Sequence, residues 1–110
     1  MQGWVTQLRK GLVELSVLHV LRRGESYGYE IVQALRDIDA LAVSESTVYP
    51  VLTRLRDEGL VRVREGASPE GPPRRYFSLT PQGRLRLAEL SAHWDLVVDA
   101  MRRLRAPKDA

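Results

Sequence analysis

A row of hydroxyl, aromatic and basic side chains sits mid-chain at spacings that suit recognition. Ser44 is a good helix-capping residue. Val48, Val51, Leu52 and Leu55 follow it at i, i+3, i+4 and i+7, the pattern of one apolar stripe on an α-helix. Gly59 can end that helix in the left-handed conformation. Opposite the stripe lie Ser46, Thr47, Tyr49, Pro50, Thr53 and Arg54, none of them acidic, while Asp57 and Glu58 are held back at the far end. Phosphates repel carboxylates, so a helix with one buried face and an acid-free polar face can enter a DNA major groove. Ser44 and these six residues are the candidate DNA contacts. Pro50 breaks a local rule: in a helix starting at Glu45 it deletes one backbone hydrogen bond and crowds the carbonyl one turn back. Either the helix begins a turn later, or a distortion is retained at a working surface.

Catalytic chemistry has no residues to stand on. The chain has no cysteine, no glycine-rich phosphate loop and no nucleophile elbow. His19 has no second ligand at metal spacing. His93, Trp94 and Asp95 are not a triad, because helix neighbours point in different directions. Neither an enzyme nor a cofactor is expected.

The flanking elements must hold the mid-chain helix in place. After Gly59 the period changes to alternation, with Val61 and Val63 on one side and Arg62 and Arg64 on the other, as in a half-buried strand. Residues 66–74 are too rich in proline and glycine for regular structure, and Arg75–Leu79 reads as the returning strand. Strand, loop and strand after a helix-turn-helix make a wing, with Arg74 and Arg75 at its base as candidate phosphate contacts. Upstream, Ser26 is expected to cap a helix whose inner face is Ile31, Val32, Leu35 and Ile38. Tyr27 is either half-buried packing or, as in helix-turn-helix proteins whose first helix crosses the backbone, a phosphate contact. Before it, a short arm to about Val5 leads into one helix running to about Arg22. That helix carries two stripes (Leu8, Leu12, Leu15, Leu18 and Val13, Val17, Val20) and so needs two partners.

Thr80-Pro81 is a helix start, with a hydroxyl cap and then proline at the first helical position. Leu87, Leu90, Trp94, Val97, Met101 and Leu104 then recur at alternating steps of three and four, a heptad seam. A chain of 110 residues offers little surface to cover it, so a homodimer interface is expected there. A tail from Ala106 is expected to fray. The expected fold is mainly α with a small β-wing: a winged helix-turn-helix domain over 1–79 and a C-terminal dimerisation helix over 80–110.

Composition sets bounds. Apolar residues at 44% and charged residues at 28% fit a soluble globular chain. No apolar run reaches a membrane span and no signal peptide opens the chain, so a cytoplasmic protein without a membrane partner is expected. Net charge is +3, and between Leu41 and Leu79 six arginines face five acids. A DNA reading must therefore rest on placement. The competing reading is a winged helix that binds another protein, which the fold also permits.

Three segments together carry a family resemblance. Ser44–Leu60, Ser26-Tyr-Gly-Tyr-Glu-Ile31 and Arg75-Tyr-Phe-Ser-Leu-Thr80-Pro-Gln-Gly83 resemble, in order, the signatures of PadR-family transcriptional regulators, over about Leu8 to Leu104. Glu45 departs from the small or proline residue common at its position. The resemblance implies a cytoplasmic repressor of double-stranded DNA that leaves its operator on a signal. The single C-terminal helix resembles the short members, some of which respond to flat hydrophobic compounds. By that likeness Trp94, with Leu8, Leu12 and Leu15 beside it, is expected either to fill the dimer interface or to line a slot for a small hydrophobic effector.

Overall fold

The apolar stripes of the middle of the chain meet in one small core, and the elements follow from how those stripes are interrupted. The computed structural model describes residues 3–108; the outer ends of the expected arm and tail lie outside the described residues. The order is α1 (Gly3–Gly11), α2 (Val13–Arg22), β1 (Ser26–Tyr27), α3 (Gly28–Arg36), a 3-10 turn (Asp39–Leu41), α4 (Glu45–Asp57), β2 (Val61–Gly66), β3 (Arg74–Leu79) and α5 (Pro81–Arg105). The fold is mainly helical with one three-stranded antiparallel sheet in the order β1-β3-β2.

The N-terminal region departs from expectation. The helix begins at Gly3, where an arm was expected, and it is two helices broken at Leu12. Gly11 carries a poor helix former to the break, and Leu12 bonds back three residues, to the Arg9 carbonyl at 3.0 Å. Ser16 donates its hydroxyl to the Leu12 carbonyl at 2.8 Å, fixing the start of α2. The break leaves α2 inside the core through Val13, Val17, Leu18 and Leu21, while Leu8 on α1 is largely exposed.

Two further expectations are corrected between α2 and α4. Ser26 does not cap a helix; with Tyr27 it forms β1, whose extended backbone pairs with Phe77 and Tyr76. The position before α3 falls to Tyr27, which has no side-chain cap bond. Ile38 lies past the end of α3 and is exposed. Ile31, Val32 and Leu35 do form the inner face.

α4 starts at Glu45 with Pro50 inside it, so the reading in which the helix begins a turn later is not what forms. Val48, Leu52 and Leu55 are fully buried. The helix stops at Gly59, whose φ of 75° is open to glycine without strain. Leu60 N–H bonds the Leu55 carbonyl at 2.8 Å and Gly59 N–H the Arg56 carbonyl at 2.9 Å, a Schellman ending that turns the chain into β2. β2 and β3 pair from Val61↔Leu79 to Gly66↔Arg74.

α5 opens as expected: Thr80 Oγ accepts from Gly83 N–H at 3.0 Å and Pro81 fills the first position. Gly83 seats the helix on the domain, because a Cβ there would stand 1.9 Å from the Leu60 carbonyl oxygen. Beyond its first turns α5 projects. The radius of gyration is 16.1 Å, against roughly 13 Å for a compact chain of this length.

Candidate nucleic-acid interface

Helical geometry sorts the α4 candidates by direction. At about 100° per residue, Ser46, Pro50 and Thr53 form the ridge opposite the buried Val48, Leu52 and Leu55, and all three are exposed. Tyr49 lies on one flank, Thr47 and Arg54 on the other. Pro50 has no N–H, so the Ser46 carbonyl lacks its usual donor four residues on and remains an acceptor on that ridge. Ser44 stands at the cap position, but its hydroxyl serves no backbone amide. It lies 2.8 Å from the Ser46 hydroxyl and 3.3 Å from that of Thr47.

Beside the Tyr49 flank is an open hollow of about 600 Å³ lined by Tyr27, Gly28, Tyr29, Tyr49, Arg74, Arg75 and Phe77. Gly28 makes it possible: a Cβ there would stand 2.5 Å from Tyr49 Cε1, so the ring rests directly on the first turn of α3. Burial, then the Glu45 carboxylate, then Tyr29 push the Tyr49 phenol up, keeping it an O–H donor.

Strand pairing supplies the second wall. The Tyr27 and Tyr76 rings meet edge-on, centroids 5.8 Å apart at 74°. The Arg74 guanidinium sits 4.2 Å above Tyr27 and that of Arg64 4.7 Å above Tyr76. Arg75, on the opposite face of β3, lies 5.7 Å from the Phe77 ring. Arg64 is also held by Glu25, with Nε 2.8 Å from a carboxylate oxygen, and that pair draws the Glu25 carboxyl below its ordinary range.

Arg54 is placed differently from the rest of the α4 set. Its guanidinium donates to Glu14 on α2 at 2.6 Å and to Glu58 at 2.9 Å. The other oxygen of Glu14 accepts from Arg86 on α5 at 3.0 Å, and Arg86 reaches Glu58 at 3.8 Å. Burial alone would raise the Glu14 carboxyl, but the hydrogen bonds from Arg54 and Arg86 outweigh it and hold the group below the usual carboxylate range. These partners lie 40 and 72 residues apart in sequence, and no local pattern signals them. The strand β1 that carries Tyr27 into the sheet escaped the sequence reading because two residues are too few to show a period.

The seam of α5 emerges steadily from its own chain. Leu87 is 5% exposed, Trp94 39%, Met101 56% and Leu104 79%. Leu90 and Val97 are intermediate. Trp94 lines two clefts. One, of about 340 Å³, lies against Leu12, Leu15, His19, Leu35 and Ile38. The other, of about 260 Å³, lies against Glu14, Leu15, Leu90, His93 and Val97. The structure thus brings Trp94, Leu12 and Leu15 together; Leu8 lines neither cleft. Among the described residues no cluster of three His, Asp or Glu could hold a metal, and no helix is long and apolar enough to cross a membrane.

Known proteins are similar to this chain in sequence and fold. The model of the transcriptional regulator PadR-like family matches residues 17–89. The transcriptional regulator Rv3488 of Mycobacterium tuberculosis is 35% identical over 83 residues, covering 76% of each chain. The transcriptional regulator YqjI of Escherichia coli is 31% identical over 81 residues, which are 72% of this chain but only 37% of that protein. Among solved structures, a PadR-like regulator from Bacillus cereus superposes with a TM-score of 0.81 at 32% identity, covering 93% of this chain and 99% of the other. Bacillus subtilis PadR, solved in complex with operator DNA, superposes with a TM-score of 0.66 at 26% identity over 72% of this chain and 46% of its own. The matched family is one of regulators, not enzymes. This chain belongs to the PadR-like family of transcriptional regulators.

Proposed function

We propose that the protein is a sequence-specific DNA-binding repressor, acting as a cytoplasmic homodimer and released from its operator by a small hydrophobic effector. One observation carries the DNA reading: the outward ridge of α4 is free of acid from Ser46 through Thr53 and runs beside a hollow whose only charged lining residues are Arg74 and Arg75. In this reading Ser44, Ser46, Thr47, Tyr49, Pro50 and Thr53 face base edges, while Tyr27, Arg74 and Arg75 meet phosphate. Arg54 joins them only once its carboxylates let go. The related B. subtilis protein was solved in complex with operator DNA, which supports DNA as the partner.

The dimer reading rests on the exposed half of the α5 seam, since apolar side chains at heptad spacing ask for a second helix. Two-fold symmetry presents the same patch twice, so residues 80–110 serve as the dimerisation element and the two α4 helices address half-sites roughly 34–36 Å apart. Trp94, with apolar clefts on both sides, is the natural wall for a planar effector.

A gel shift against the DNA upstream of the protein's own coding region, at two salt concentrations, tests the DNA reading. Specific retardation that weakens at high salt is expected; equal binding to unrelated duplex, or none, refutes it. Saturable quenching of Trp94 by planar dyes tests the effector reading. It is repeated in Trp94→Ala because Trp4 also emits; quenching unchanged there excludes the slot.

A further inference from the structure

Among the charged groups of this surface, the Glu14 carboxylate stands apart because it ties three helices at once. One oxygen holds Arg54 of α4 at 2.6 Å and the other holds Arg86 of α5 at 3.0 Å, while Glu58 closes the ring by touching both arginines, at 2.9 and 3.8 Å. Glu14 also lines the cleft that contains Trp94. We propose that Glu14 is a positioning residue that withholds Arg54 from DNA, and that α5, through Arg86, sets how firmly it does so.

Arg54 lies on the flank of α4 next to the exposed ridge, on the same side as Thr47, and about half of its side chain is open to solvent. Its guanidinium can reach a phosphate only by leaving two carboxylate oxygens. Glu14 in turn divides its charge between two arginines. While α5 is seated, Arg86 draws on that carboxylate and weakens its hold on Arg54. If α5 moves away from α2, Glu14 is left with Arg54 alone and holds it harder. Arg86 stands eight residues, about two turns, before Trp94 on the same helix. A molecule entering beside Trp94 and shifting α5 would therefore lower the positive charge that α4 offers to DNA. This rests on the DNA-binding reading above.

The test uses the full chain and two duplexes, the DNA upstream of its coding region and an unrelated mixed sequence, with affinity measured from 50 to 200 mM salt. Glu14→Gln keeps the shape and removes the shorter of the two ion pairs on Arg54, leaving it to the exposed i,i+4 partner Glu58. It is expected to bind more tightly at low salt, with a slope steeper by about 0.9, so that affinity falls roughly 3.5-fold further across the range. Arg86→Gln is expected to act in the opposite direction and weaken binding, whereas general loosening of α5 packing would move both variants the same way. In an Arg54→Met background Glu14→Gln should change nothing, which separates release of Arg54 from the mere loss of a negative charge. Should Glu14→Gln not fold, Glu58→Gln on the helix surface provides the release. An unchanged slope, a gain that persists without Arg54, or parallel effects of Glu14→Gln and Arg86→Gln would each overturn the proposal. A parent chain that binds neither duplex overturns the DNA reading, and this inference with it.

Discussion

Replacing Gly28 with alanine should damage DNA recognition far more than stability. The added Cβ would stand 2.5 Å from Tyr49 Cε1, 3.1 Å from its hydroxyl oxygen and 3.2 Å from Cζ. Carbon atoms sit comfortably at about 3.5–4.0 Å, so the ring must retreat by roughly 1 Å. The neighbour is the partly exposed end of a side chain, which can swing outward without moving backbone. Overpacking of this kind costs about 1 kcal/mol, at the low end of its usual range, and alanine returns up to about 1 kcal/mol as the better helix former. The net change in stability should stay within about 1 kcal/mol. If Tyr49 is a groove contact, its displacement removes discrimination worth about 1–3 kcal/mol, roughly five- to 150-fold in affinity for the preferred duplex. Urea unfolding gives the first quantity and anisotropy of a labelled duplex the second, with Tyr49→Ala as the reference loss. The salt slope should not change, because no charge is altered. An affinity within twofold of the parent, in a variant whose Tyr49 phenol now titrates nearer its ordinary value of 10.0, would refute the reasoning: the ring would have moved and the DNA would not have noticed.

Four other outcomes follow from the structure. Arg75→Ala should weaken binding to all duplexes about equally and flatten the salt slope by about one unit; altered sequence preference would instead make Arg75 a base contact. Gly83→Ala places Cβ 1.9 Å from the Leu60 carbonyl oxygen, which is backbone and cannot swing away. It should cost about 3 kcal/mol or more in urea unfolding, while Gly11→Ala, with no atom within 4 Å, should gain up to about 1 kcal/mol. Val97→Glu with Met101→Glu should give a folded monomer by light scattering and circular dichroism, and a folded dimer would exclude the α5 seam as the interface. Because the Glu14 carboxyl is depressed in the folded chain, its ion pairs contribute fully above the ordinary carboxylate value of 4.5 and fade as pH falls through the lowered one. Acid unfolding should therefore begin at higher pH in the parent than in a Glu14→Gln chain compared at equal starting stability.

The sequence is most informative where physics is local. The stripe of α4, the Gly59 ending, the Thr80-Pro81 start and the alternation of β2 all depend on residues within a turn or two of each other, and each stands where its pattern places it. Elsewhere the sequence misleads, leaves a choice open or hides a partner. Ser26 has the chemistry of a helix cap, but it pairs with Phe77, 51 positions away, and Tyr27 pairs with Tyr76, so α3 starts only at Gly28 and the cap position passes to Tyr27. Pro50 is tolerated inside α4 because Val48, Leu52 and Leu55, all buried, hold the helix on either side of the missing bond. Of the two carboxylates that hold Arg54, Glu58 stands four residues on at the spacing of a helical ion pair and is legible in the sequence, whereas Glu14, 40 positions away, is not. Ile38 kept the helical spacing of its stripe after the helix itself had ended.

Charge makes the same point from the opposite direction. Six arginines against five acids around the wing and α4 seem a poor basis for meeting a polyanion, until the ion pairs are assigned. Arg54 is held by Glu14 and Glu58, Arg56 lies 3.1 Å from Asp57, and Arg64 is clasped by Glu25. Two of those acids, Glu14 and Glu25, come from outside the counted stretch. Among the described residues, Arg62, Arg74 and Arg75 make no ion pair. Arg74 and Arg75 rest on aromatic faces, which hold a cation in place without cancelling its charge. Glu45 lies in the first turn of α4, where the helix dipole favours a carboxylate, and neither it nor any other acid lines the hollow. A phosphate entering the hollow would meet the two arginines that line it, opposed by Glu45, whose carboxylate already acts on the Tyr49 phenol at the wall. A nearly neutral total is therefore compatible with a basic track beside α4. The testable consequence is positional: charge reversal at Arg74 or Arg75 should abolish binding.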